Sequence, residues 1–176
     1  KYLANVIENK QLNIPSKDAA QFQNPINKIF NRHNIKRFFL KIYYKYFLKQ
    51  RSEFNLPFIY SLSVFKNYIS YLRIKKLYLK LSKLKNNKYI YFPLHVPNDL
   101  ALTLRARKYY NQLNFIEELI AKTKKFNIDI VIKEHPARIG AINASKILNL
   151  KKKYENLKIL KPWENTYNII EKSIAV

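Results

Sequence analysis

From Lys88 onward, short apolar runs alternate with longer amphipathic ones, and few folds accommodate that order. KYIYF (88–92) is an aromatic and β-branched run stopped by Pro93. YYNQLNFIEELIAKTKKF (109–126) sets Leu113, Ile116, Leu119 and Ile120 on one helical face. IDIVIK (128–133) is apolar and of strand length, NASKILNLKKKYEN (143–156) is helical, and LKIL (157–160) is a third strand. ENTYNIIEKS (164–173) then forms a third helix leading into IAV, a fourth strand. Helices interleaved with short apolar strands predict parallel β-α-β units covered on both faces. The predicted fold class is therefore α/β, a Rossmann-like parallel sheet.

Upstream of Lys88 the pattern is helical. Residues 1–34 carry Pro15, Pro25 and several Asn, and read as helix and loop, with His33 an exposed helix-start residue. Residues 35–51 place Arg37, Lys41, Lys45 and Lys49 every fourth residue, with Phe38, Phe39, Ile42, Tyr43, Tyr46 and Phe47 filling the remainder. Such a helix is expected to bury its aromatics in a core beneath a solvated basic stripe. The same pattern also suits an amphipathic helix lying on an anionic membrane surface. After Asn55-Leu56-Pro57, a second helical stretch runs to about Lys85, with Leu62, Phe65, Ile69, Leu72 and Leu79 at three- and four-residue spacing in a row that Lys76 interrupts. Asn86-Asn87 marks a boundary.

Open parallel sheets bind ligands beyond the carboxyl ends of their strands. The segments expected there are Pro93–Asp99, Lys133–Arg138 and Lys161–Glu164, and the first two carry His95 and His135. The loop after the first strand is about 16 residues long, well beyond the usual two to six, and it holds His95, Asp99, Arg105 and Arg107. Arg105 could fork two oxygens of a phosphate or carboxylate, or pair with Asp99 to hold the loop. In Lys133-Glu134-His135-Pro136, proline ends the strand ladder because it has no N–H to donate. Lys133 and His135 could then stabilise negative charge on a departing phosphate. Glu134 could accept from a sugar hydroxyl or orient His135. A strand cap with a surface ion pair would use the same residues.

Composition removes several classes. The chain has 176 residues, no cysteine and a net charge of +23. Disulfides and thiolate metal sites are excluded, and no HExxH, DxD or His/carboxylate cluster has metal-binding spacing. There is one glycine, Gly140, where a chain of this length averages about 12. Walker and GxGxxG loops are therefore impossible, and any nucleotide must be held another way. No GxSxG elbow is present. Residues 1–87 carry 18 basic and 3 acidic side chains, and residues 88–176 carry 16 and 8. This dispersed charge, without a zinc-finger or RNA-recognition motif, reads as a generic basic surface rather than a nucleic-acid site. No run reaches the roughly 18 apolar residues of a membrane span. A chain without Met that starts on Lys1 and stops in SIAV reads as a piece of a larger protein.

YIYFPLHVPNDLALTLRARKYYNQLNFIEELI followed by IDIVIKEHPARIGA resembles bacterial capsule and surface polysaccharide biosynthesis proteins. The matching positions are Pro93-Leu94-His95, Asp99, Tyr109-Tyr110-Asn111-Gln112 and Lys133-Glu134-His135-Pro136, over roughly the last 90 residues. That family is similar to GT-B glycosyltransferases, and to Kdo transferases and bacterial sialyltransferases bearing an HP motif. The resemblance implies transfer of a sugar, an acidic CMP-activated one among the candidates, from a nucleotide donor to a polysaccharide or lipid-linked glycan, without metal or cofactor. It implies that His135 contacts the donor phosphate, supported by Lys133, Glu134, Pro136, His95, Asp99 and Arg105. It also implies a cytoplasmic enzyme, peripheral at the inner face of the cytoplasmic membrane if residues 35–51 bind lipid. On this reading residues 1–56 end an N-terminal domain, 57–87 are a helical connector, and 88–176 are an incomplete nucleotide-sugar-binding domain. The catalytic base and a phosphate-binding turn after the fourth strand are expected outside the chain. The contrasting expectation is a basic membrane-surface or nucleic-acid-binding module without catalysis.

Overall fold

The computed structural model describes residues 30–49, 57–84, 88–97, 103–104 and 109–176. The region expected as helix and loop before residue 30 lies outside them, as do Asp99, Arg105 and Arg107. The elements are α1 (Arg32–Tyr46), α2 (Pro57–Ile74), β1 (Tyr78–Leu79), β2 (Tyr89–Pro93), α3 (Gln112–Thr123), β3 (Asp129–Lys133), α4 (Ala144–Lys153), β4 (Leu157–Leu160) and α5 (Thr166–Glu171). All four strands are parallel, in the order β1-β4-β3-β2. The α/β parallel sheet preceded by helices is the architecture that the alternation predicts.

Strand alternation builds two apolar layers. Ile130, Ile132, Leu157 and Ile159 point to one face, where they pack with Ile116 and Ile120 of α3, Ile147 and Leu150 of α4, and Ile74 of α2. Tyr89, Tyr91, Val131 and Leu160 point to the other, against Ile169 of α5. Because both faces are covered, the strands carry almost no polar residues in their centres. The three helices of this region start on asparagine caps, whose side chains accept backbone N–H groups left over at a helix start. Asn111 accepts from Asn114, Asn143 from Lys146, and Asn165 from Tyr167 and Asn168.

The strand order reverses at β2. From β2 the chain steps to β3 and then β4, and it returns after α5 to the opposite edge of β2. There Ala175 bridges Ile90 and its carbonyl accepts the Tyr91 N–H at 2.9 Å. Such a reversal leaves a crevice at the carboxyl ends of the strands.

Two upstream expectations are corrected. The helix predicted to about Lys85 ends at Ile74, and Tyr78–Leu79 is an edge strand paired with Ile159–Leu160. Within residues 57–84, Ile74 of α2 joins the core on one face of the sheet and β1 extends the sheet beyond β4. In α1 no residue is buried; Phe39 is 63% and Phe47 73% exposed, while Lys41 and Lys45 are half-buried. Phe39, Tyr43, Tyr46 and Phe47 are exposed and Phe38 is half-buried, and they form no core among the described residues.

Candidate functional site at the sheet rim

Three segments leave the carboxyl ends of adjacent strands, and the register sets their heights. Pro93 pairs with Lys133, and Lys133 with Leu160. The Leu94 N–H donates to the Lys133 carbonyl at 2.9 Å and closes that last pair at the rim. His95 and His135 each follow that last pair by two residues, and so leave the sheet at matching positions on neighbouring strands, which run about 4.8 Å apart. Both side chains are exposed.

Each histidine is held by its surroundings. The side-chain amide of Gln112, the first residue of α3, engages the backbone of His95 twice. Its Oε1 accepts the His95 N–H at 2.7 Å and its Nε2 donates to the His95 carbonyl at 3.2 Å. His135 caps the short 3₁₀ turn Pro136–Arg138, with Nδ1 accepting the Ala137 N–H at 3.2 Å. With Nδ1 an acceptor, the neutral ring carries its proton on Nε2, the tautomer that donates to an anion. Pro136 occupies the first position of that turn, where a missing N–H costs nothing.

Lys133 and Glu134 both point inward, to opposite faces of the sheet. Lys133 is 6% exposed, and its Nζ donates to the Glu164 carbonyl at 3.0 Å and to Thr166 Oγ1 at 2.5 Å. It ties the rim of β3 to the start of α5. Burial pulls its pKa down to about 8, against the raising influence of the Glu164 carboxylate. Glu134 is 1% exposed, with Oε2 accepting from the Tyr78 hydroxyl and Oε1 from the Gly140 N–H at 3.1 Å. The Ile142 N–H also donates to it. Burial raises this carboxyl above the usual range, partly offset by those donors, and burial likewise pushes the Tyr78 phenol far up. Of Lys133-Glu134-His135, the histidine alone faces outward. The two charged residues hold the loop that carries it.

Gly140 is the hinge of that loop. Its φ is +76°, and a Cβ there would lie 2.0 Å from the Asn67 carbonyl oxygen of α2. The chain's one glycine thus stands where backbone meets backbone. A cleft of about 240 Å³ opens beside it, lined by Pro97, Tyr110, Asn111, Gln112, Ala141 and Asn143 among others. It lies between the N-termini of α3 and α4, whose partial positive charge favours an anion. Among the described residues there is no group of three or more His, Asp or Glu that could hold a metal ion.

The rim therefore unites His95, Lys133, Glu134, His135 and Pro136, while Asp99 and Arg105 lie outside the described residues. Sequence reasoning missed Gln112, Tyr78 and Thr166 as supporting groups. Gln112 stood inside the quoted YYNQ segment, and a buried amide at a helix start was its available signal. Tyr78 and Thr166 lie 56 and 33 positions from their partners, a separation that no local pattern carries. No protein-family model, curated protein or solved structure matches this chain.

Proposed function

We propose that the chain is part of a glycosyltransferase of capsule or surface polysaccharide synthesis. It would take a nucleotide-activated sugar, an acidic CMP-linked one being the leading candidate, and transfer it to a growing or lipid-linked glycan. The observation that carries this reading is the height match of His95 and His135 on adjacent parallel strands, beside the crevice where the strand order reverses. A donor phosphate at this rim meets the Nε2–H of His135, which stabilises the charge that develops as the nucleotide departs. Gln112 fixes the backbone of His95, and the Glu134 and Lys133 networks fix the loop of His135, so the two imidazoles need little reorganisation. The PLH, YYNQ and KEHP resemblance supports the same assignment.

A thermal-shift screen of the full-length protein against CMP, CDP, UDP and GDP tests it. A nucleotide at 100 times its Kd adds about 2.7 kcal/mol to stability, which raises the Tm by about 5–10 °C for a chain of this size. A rise with one of the four supports the reading, and no rise with any of them overturns it.

A further inference from the structure

Helices α1 and α2 carry an apolar surface that the described fold does not cover. On α2, Leu62, Phe65, Ile69 and Leu72 follow at three- and four-residue spacing and form one stripe. All four are exposed, Leu62 at 57% and Phe65 at 55%. The opposite face is committed to the sheet domain: the backbone at Asn67 and Tyr71 lies against Gly140, Ser70 Oγ donates to the Ile142 carbonyl at 3.0 Å, and Ile74 is buried. The stripe cannot turn inward without giving up that seat. On α1, Phe39, Tyr43 and Phe47 are exposed too, the rings of Tyr43 and Phe47 stacking at 5.4 Å. Single exposed apolar residues are ordinary, but a continuous row marks an interaction surface.

The surrounding charge selects the occupant. Residues 30–49 and 57–84 each contain six Lys or Arg and no Asp or Glu. On α2, exposed Lys66 stands one turn from Leu62, and exposed Arg73 one turn from Ile69, with Lys76 following. A second copy laid face to face on this surface would oppose like charges. A nucleic acid would find rings to stack on, but Leu62, Ile69 and Leu72 offer no flat face to a base. An anionic bilayer suits both components: apolar side chains enter the acyl boundary while long basic stems reach up to headgroup phosphates. We propose that the outward faces of α1 and α2 dock this protein on an anionic lipid surface. The attachment is peripheral in kind, since no helix among the described residues is long and apolar enough to cross a membrane.

Co-sedimentation of the full chain with phosphatidylcholine vesicles, with and without phosphatidylglycerol, tests this. Binding should require the anionic lipid and weaken as salt is raised. Lys66→Glu with Arg73→Glu should weaken it about tenfold or more, since each change replaces an attraction to the anionic surface with a repulsion. Leu62→Ser with Phe65→Ser and Ile69→Ser should weaken it comparably at the same salt, and both variants should keep the wild-type circular dichroism spectrum and melt, because the changed positions are exposed. Absence of wild-type binding overturns the proposal, as does equal binding by wild type and either variant. A single-stranded oligonucleotide that binds independently of the Leu62, Phe65 and Ile69 changes and displaces the vesicles also overturns it, in favour of nucleic acid.

Discussion

Gln112 grips His95 by both of its backbone groups, 17 positions away in sequence, and so joins the start of α3 to the end of β2. Replacing it with alanine leaves a partly buried N–H and carbonyl of His95 without their partners, at a cost of about 0.5–1.5 kcal/mol for each bond lost. Gln112→Ala should lower the Tm by several degrees and weaken nucleotide binding. Gln112→Glu keeps the acceptor for the N–H but sets a carboxylate oxygen against the carbonyl, so it should not restore the wild-type Tm. Differential scanning calorimetry of the two variants checks both statements.

Gly140→Ala should be among the most damaging single changes. The added Cβ meets the Asn67 backbone, and a φ of +76° strains any side chain. Strained backbone of this kind costs about 1–3 kcal/mol before the clash is counted. A Tm loss of at least about 5 °C is expected, together with loss of the α2 seat, read as faster amide exchange across α2. An unchanged Tm would show that α2 does not pack as described.

Glu134 gives a pH signature. Its carboxyl is raised by burial, so the folded chain holds that proton more tightly than the unfolded chain does. The stabilising contribution is then full below the ordinary carboxyl value of 4.5 and is lost as pH rises through the raised value. Relative to Glu134→Gln, wild-type stability should fall as the pH goes from 4.5 upward, as read from urea midpoints. Glu134→Ala should be destabilised at every pH, because Tyr78, Gly140 and Ile142 all lose their acceptor. A constant difference between wild type and Glu134→Gln would contradict the buried carboxyl.

Lys133 works in the opposite sense. Its pKa falls from 10.5 to about 8 on burial. Between these values the unfolded chain holds more protons, so the folded state gains relative stability as pH rises. The stability of wild type minus that of Lys133→Met should climb from about pH 8 to 10.5 and be flat below pH 7. Paired thermal melts across that range isolate this lysine from the many exposed ones.

The sheet was legible because its strands are short, apolar and separated by amphipathic helices: 128–133 and 157–160 coincide with β3 and β4 to within a residue. The height match of His95 and His135 was legible too, since parallel strands of similar length end at one rim. The two-residue strand Tyr78–Leu79 was not, because it continues an apolar helical row and exists through pairing with β4, about 80 positions away. The partners of Lys133 and Glu134 were not legible for a related reason. Charged residues at a strand end look available to a ligand until the tertiary partners Thr166, Tyr78 and Gly140 are in place. The aromatics of α1 illustrate the converse, since helical periodicity reveals a face but not what covers it.

Nucleotide release from CMP-, UDP- and GDP-activated sugars, measured with full-length wild type and His135→Ala, tests the central claim most directly. Wild type should consume one donor class. The variant should be about 10²–10³ slower on it, the scale for losing one preorganised donor to a developing anion, with its circular dichroism spectrum kept and its Tm lowered by no more than a few degrees for the lost cap on the Ala137 N–H. Turnover of no donor by wild type, or near-wild-type turnover by a folded His135→Ala, would contradict the account.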